Sequence, residues 1–188
     1  MYKHIATLLV SGTLVASAFA ADNYTIDPGF SAASFEIARV GFSSQSGRFN
    51  QTSGKLTLDM TAKTGSVDFT IQTASMDMGS AAWAAHLADE ELFNVKKFPT
   101  MHFRSDKLIF EGDKVVASEG QFTLRGVTKP IRLTVKNFQC SVNPMNKKQT
   151  CSGNVYGTLK RSDFGLIRYI PVVSDEVSIS VPVDAYKN

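Results

Sequence analysis

Residues 55–72 read Lys-Leu-Thr-Leu-Asp-Met-Thr-Ala-Lys-Thr-Gly-Ser-Val-Asp-Phe-Thr-Ile-Gln. Leu56, Leu58 and Met60 fall on one side of an extended chain, and Lys55, Thr57 and Asp59 on the other. After the turn Thr61–Gly65 the pattern resumes, with Val67, Phe69 and Ile71 against Asp68, Thr70 and Gln72. A period of two is what a strand with one buried and one wet face requires. Such strands belong to antiparallel sheets, because parallel strands are covered on both faces and read as continuous apolar runs.

The same period extends outward. Upstream, a short strand over Tyr24–Asp27 breaks at Pro28-Gly29, and Ser34–Val40 follows with Phe35 and Ile37 opposite Glu36 and Arg39. Gly41–Gly47 reads as a polar, flexible connection, Arg48–Asn50 as a short piece carrying Phe49, and Gly54 as a turn. Downstream, Met101 and Phe103 oppose His102 and Arg104, a hairpin turns at Gly112, and Phe122 and Leu124 alternate up to Gly126. Ile131, Leu133 and Val135, then Val155, Gly157 and Leu159, then Val177, Ile179, Val181 and Val183 complete the series. This amounts to about eight or nine strands joined by short turns. A sandwich and a barrel both fit, since periodicity does not separate a filled core from a closed tube.

Ser80–Pro99 departs from that pattern. Ala81–Ala88 is dominated by the best helix former, and Ser80 suits an N-cap. Trp83 and Leu87 stand four apart and so share one helix face. Asp89 starts a second turn, Glu90 and Glu91 suit its positive end, and Pro99 opens the next strand. The segment is expected to cover the mouth of the β structure.

Length, composition and charge bound the function. A chain of 188 residues with 43% hydrophobic and 20% charged content is globular and suits one domain. A formal net charge of +3 without a basic stripe argues against nucleic acid as a partner. Residues 1–20 have the form of a cleaved signal peptide: Lys3 and His4, an apolar stretch from Ile5 to Ala18, and the small-x-small site Ala18-Phe19-Ala20. The apolar run is short for a membrane span, which is the competing reading. Residues 21–188 are then the mature domain, exported to the periplasm of a Gram-negative-type cell. Cys140 and Cys151 would pair there as a disulfide stapling a hairpin, since their spacing is not that of a C-x-x-C redox motif.

Catalytic and metal-binding patterns are missing from the sequence. There is no G-x-S-x-G elbow, phosphate loop or dinucleotide fingerprint, and outside the signal segment only His86 and His102 could ligate a metal through imidazole. No cofactor and no metal site is expected. Phenylalanine is abundant, at 13 residues, and aromatic-rich walls serve either to fill a core or to line an apolar pocket. The candidate ligand-lining set is Phe35, Phe42, Phe49, Phe69, Met76 and Phe93, then Phe103, Phe122 and Phe164, with Trp83, His86 and Leu87 on the lid. For His86 two roles compete: a ring bonded to a backbone carbonyl, and a donor to a ligand headgroup.

Several motifs in order resemble the YceI-like family of exported polyisoprenoid-binding proteins. They are Tyr24-Thr25-Ile26-Asp27-Pro28, Ser34-Phe35-Glu36-Ile37, His86-Leu87, and Leu92-Phe93-Asn94-Val95-Lys96-Lys97-Phe98-Pro99. Phe103-Arg104-Ser105, Phe122–Pro130, Arg161-Ser162-Asp163-Phe164-Gly165 and Asp175-Glu176-Val177 follow. The resemblance implies an all-β fold, an extended antiparallel eight-stranded lipocalin-like barrel with a short helical lid. It further implies a non-enzymatic carrier whose interior holds an isoprenoid lipid, a quinone or a polyprenyl chain. Phe30, Trp83 and Ala84 stand where the family usually has polar residues, which favours a neutral headgroup such as a quinone. Transient membrane contact and a homodimer through exposed edge strands are compatible with this reading. Two other functions are kept alongside: a lipid-modifying hydrolase using His86 as base, and a filled β-sandwich acting as an interaction module.

Overall fold

The computed structural model describes residues 21–188, so the expected signal peptide lies outside the described residues. Strand segments run in the order β1 (Asp22–Ile26), β2 (Ala33–Arg39), β3 (Phe42–Phe49), β4 (Thr52–Asp59), β5 (Thr64–Gln72) and β6 (Met76–Asp77). Helix α1 (Ala81–Ala88) follows, then β7 (Thr100–Glu111), β8 (Lys114–Leu124), β9 (Val127–Val142), β10 (Gln149–Lys160) and β11 (Val173–Lys187). All pairings are antiparallel, and the order β1-β4-β5-β7-β8-β9-β10-β11 closes when β11 pairs back onto β1. The closed ring is an eight-stranded barrel, and the sandwich alternative is overturned by that closure.

Three strands are broken at one level, and the break shapes the interior. β1 and β2 are separated by the bend at Pro28-Gly29, β3 and β4 by Asn50-Gln51, and β5 and β6 by a short 3-10 turn, Thr73–Ser75. Below the break, β1, β4 and β5 belong to the ring; above it, β2, β3 and β6 continue the wall from the upper half of β11. β11 is long enough to serve both, pairing Val173–Ser180 with β2 and Ala185–Lys187 with β1. Buried Ser31 sews the bend: its carbonyl accepts from Thr52 Oγ1 at 2.9 Å and its hydroxyl accepts from the Asp184 N–H at 3.4 Å. No strand pairing joins β6 to β7, and residues 78–99, with α1, occupy that gap.

Two sequence expectations for this region are corrected. Gly41–Gly47 is not a flexible connection; apart from the turn at Gly41 it is strand β3, paired with β2. Gly47 is there for space, since a Cβ would sit 2.7 Å from the Phe35 ring. Gly54 is not a turn but an interior residue of β4, paired with Ile26 and Phe69. A Cβ on it would come within 2.6 Å of the Asp68 carbonyl oxygen and 2.9 Å of Ile26. Glycine in a strand interior marks such a close approach as readily as it marks a turn.

The expected hairpin staple is present. Cys140 and Cys151 face each other across β9 and β10 and form a disulfide of 2.05 Å. It lies at the end of the barrel where β1 begins and β11 ends, away from the helix.

Candidate functional site: an apolar cavity under a helical lid

The inward side chains do not fill the barrel. A cavity of about 520 Å³ lies between α1, β2, β3 and the upper half of β11. A second, of about 130 Å³, lies lower in the ring. Ile71, Phe122, Ile179 and Val181 line both and form a waist between them. The larger volume falls within the range of about 300–1,000 Å³ usual for small-molecule sites.

Each wall follows from its strand parity. On β2 and β3 the inward positions are Phe35, Ile37, Gln45 and Phe49; on β11 they are Val173, Val177, Ile179 and Val181. Phe49 bridges the wall to the lid, with its ring 5.7 Å from both Phe35 and Phe93. Helix α1 presents Trp83, His86 and Leu87 to the cavity, and none of its residues is buried. An eight-residue helix is marginal by itself, so it is held by its surroundings. Its C-terminal side is strapped: the Phe93 N–H donates to Leu87 O at 3.0 Å, and the Arg125 guanidinium donates to the carbonyl of buried Leu92. At its N-terminus Ser80 makes no side-chain cap bond.

The opposite rim is the loop of residues 165–172, anchored by Arg161. That buried guanidinium donates to the carbonyls of Ser174 (2.8 Å), Leu166 (2.8 Å), Arg168 (2.7 Å) and Val173 (2.9 Å). Burial pulls its pKa down, and the neighbouring Asp175 carboxylate opposes this. Asp175 accepts from the Ser162 hydroxyl at 2.7 Å and the Ser162 N–H at 2.8 Å, and these bonds hold its carboxyl below the usual range. The Arg-Ser-Asp-Phe-Gly stretch is thus a clamp, closed by Gly165 in the left-handed conformation at φ 75°. Lid and rim meet at the mouth. Tyr169 Oη lies 3.2 Å from His86 Nε2, and Arg168 pairs with Glu91.

Most of the sequence-derived lining set converges. Phe35, Phe49, Trp83, His86, Leu87 and Phe93 line the upper cavity, Phe69 and Phe103 the lower, and Phe122 both. Three expected residues line neither. Phe42 stands at the tip of the β2–β3 hairpin, exposed, with Arg39 over its ring at 5.6 Å. Met76 is buried opposite Phe49 where β6 meets β3. Phe164 is buried edge-on against Phe122 at 5.7 Å, supporting the waist. Sequence reasoning missed Arg39, Gln45, Arg168, Tyr169 and Val172, whose positions depend on the rim loop and the hairpin tip. Arg161 was visible only as part of its motif.

The site is poor in reactive chemistry. Among the described residues no three His, Cys, Asp or Glu side chains gather as a metal site. His86 has a phenol as its hydrogen-bonded side-chain partner, not a serine hydroxyl or the backbone carbonyl that one reading expected; Asp89 Oδ2 is 3.9 Å from its Nδ1. Four of the five N–H donors of the Arg161 guanidinium are taken by carbonyls, and the Arg168 guanidinium is paired. What remains is a wall of aliphatic and aromatic carbon with a few polar groups at one end.

An eight-stranded antiparallel barrel, hollow and closed by a helix at one mouth, places this protein in the class of cavity-bearing β-barrels, whose interiors suit one small ligand. The chain belongs to the YceI-like domain family, whose model matches residues 24–185. It is 30% identical over 192 aligned residues to a protein of Shewanella denitrificans described as a UPF0312 protein, covering 100% of each. Its fold is similar to that of Burkholderia cenocepacia BcnA, with a TM-score of 0.68 and 24% identity over 85% of this chain and 98% of that one. A domain from Saccharophagus degradans, described as polyisoprenoid binding and implicated in plant cell wall breakdown, matches with a TM-score of 0.63 and 17% identity. That match covers 88% of this chain and 98% of the domain.

Proposed function

We propose that this protein is an exported, non-enzymatic carrier that holds an isoprenoid lipid, with a neutral quinone-type headgroup at the mouth and its tail toward the waist. The observation that carries this reading is the cavity of about 520 Å³, walled almost wholly by apolar side chains and opening beside a helix that buries no residue. The family and the polyisoprenoid-binding neighbour support it. A neutral headgroup suits a mouth whose polar atoms are mostly paired already: with the imidazole proton on Nε2, His86 donates to Tyr169 Oη and the phenol proton is free to meet a carbonyl. The periplasm suits the Cys140–Cys151 disulfide and the export-like form of residues 1–20.

Energetics favour a carrier over a trap. Each CH₂ taken from water gains about 0.8 kcal/mol, but a bilayer offers the same gain, so net transfer from membrane to cavity is nearly neutral. A tail of about 20 carbons exposed to water on the way would meet a barrier on the order of 16 kcal/mol. Exchange therefore requires transient membrane contact and lid opening.

The test is mass spectrometry of lipid extracted from the purified protein, followed by delipidation, incubation with an isoprenoid quinone and gel filtration. Quinone eluting with the protein is expected. Complete loss of quinone on the column would overturn the proposal.

A further inference from the structure

The mouth end carries a second feature, on its outer surface. Val40 and Phe42 at the β2–β3 tip are 67% and 73% exposed, and Ile167 and Val172 in the rim loop are 66% and 60% exposed. The half-exposed rings of Trp83 and Tyr169 stand between them, each 6.0 Å from the His86 ring. The group is held as one surface: the Val40 N–H donates to the Val172 carbonyl at 2.9 Å. It is also continuous with the interior, because Trp83, Tyr169 and Val172 line the upper cavity as well.

Cations flank the exposed rings at the mouth. At the mouth, Arg39 lies over Phe42 and forms no ion pair among the described residues, and Arg168 lies over Tyr169 at 5.0 Å. At the other end Lys63 pairs with Asp113 and Lys187 with Asp22, while Lys148 lies over the Tyr186 ring and forms no ion pair among the described residues. Aliphatic tips, flanking aromatic rings and nearby cations are the composition of a surface that sits in the boundary between lipid headgroups and acyl chains. A second copy of the chain meeting this one across a two-fold axis would bury the same apolar tips, and sedimentation separates that outcome from docking on lipid.

We propose that the mouth end docks on a lipid bilayer, with Phe42, Val40, Ile167 and Val172 entering the headgroup–acyl boundary and Arg39 meeting lipid phosphates. The opening of the cavity is then pressed against the membrane, and a ligand passes between them without crossing water. The docking rests on the exposed rim itself; only its purpose rests on the carrier reading.

The chain contains a single tryptophan, Trp83, which lines the cavity. The double variant W83F/F42W moves the fluorophore to the hairpin tip, outside the cavity. Vesicles of phosphatidylcholine mixed with phosphatidylglycerol, free of isoprenoid, are expected to shift its emission to the blue, and brominated acyl chains to quench it. W83F/Y156W, with the probe on the barrel wall, should show neither effect. The variant F42S/I167S, at two exposed positions that line neither cavity, should lower vesicle flotation by about tenfold while retaining quinone loaded from detergent. No shift and no quenching at the tip, or undiminished flotation of F42S/I167S, would overturn docking. So would a blue-shifted tip without vesicles accompanied by a doubled mass in sedimentation, which would identify a dimer interface instead. Loss of quinone in detergent, with flotation intact, would overturn the carrier reading and leave docking standing.

Discussion

Tyr169 Oη and His86 Nε2, 3.2 Å apart, join the lid helix to the rim loop across the mouth of the cavity. The phenol donates when the imidazole proton is on Nδ1, the nitrogen facing Asp89. One such bond contributes about 1 kcal/mol, and it is made only when the lid is closed. Replacing Tyr169 by Phe should therefore speed release of a loaded isoprenoid quinone roughly fivefold, with a smaller change in the amount bound at equilibrium. Stopped-flow transfer to acceptor vesicles reads this directly; an unchanged release rate would show that the pair does not latch the lid.

The waist sets how deep a tail can reach. Phe122 is the aromatic residue common to both chambers, with Phe164 edge-on against it. Phe122→Ala should merge the chambers and shift the bound population toward longer tails, at a stability cost of roughly 3–5 kcal/mol. Competition between quinones of short and long tails, alongside urea denaturation, measures both. An unaltered length preference in a folded variant would mean that tails stop above the waist.

The Cys140–Cys151 disulfide closes a short loop far from the mouth. Cys140→Ser with Cys151→Ser should lower unfolding free energy by roughly 2–3 kcal/mol. Ligand retention at moderate temperature should be unaffected. Chemical denaturation and gel-filtration retention, run in parallel, separate the two effects.

Arg161 satisfies four carbonyls of the rim loop and β11. Arg161→Leu removes all these donors from a buried position and should cost on the order of 3 kcal/mol. Hydrogen exchange over residues 165–172 should rise far more than exchange in β8 or β9. Uniform acceleration across the barrel would refute a local clamp.

Asp175 contributes a pH dependence of definite sign. Its folded pKa lies below the usual value, because of the Ser162 hydroxyl and then the Ser162 N–H. Its stabilisation is therefore fully present above the unfolded carboxylate value of about 3.9 and is lost as pH falls through the lower folded value. Wild type should be more stable than Asp175→Asn at pH near 6, and the two should converge near pH 2. Urea midpoints across that range test the convergence.

Much of this was legible where a residue's neighbours in sequence are also its neighbours in space. Helix α1 has the boundaries that its alanines and Ser80 predicted, and Trp83 and Leu87 share the face turned to the cavity. The parity of Val67, Phe69 and Ile71 placed all three on the interior. Failures arose where two distant strands decide. Gly47 and Gly54 read as flexible or turning because the side chains that crowd them are remote in sequence. Phe42 reads as a lining residue because nothing local shows that it tops a hairpin beyond the cavity.

By itself the sequence determined the antiparallel strands, the helical interruption and the pair of cysteines, since alternation, helix propensity and cysteine spacing are properties of the chain read locally. Tertiary structure alone decided that the sheet closes and that its centre stays empty. Closure depends on β11 being long enough to pair with both β1 and β2, and the larger cavity lies where β2 and β3 continue the wall beyond the break. A cavity is a difference between the volume enclosed by the walls and the side chains available to fill it, and no single stretch of sequence carries that difference.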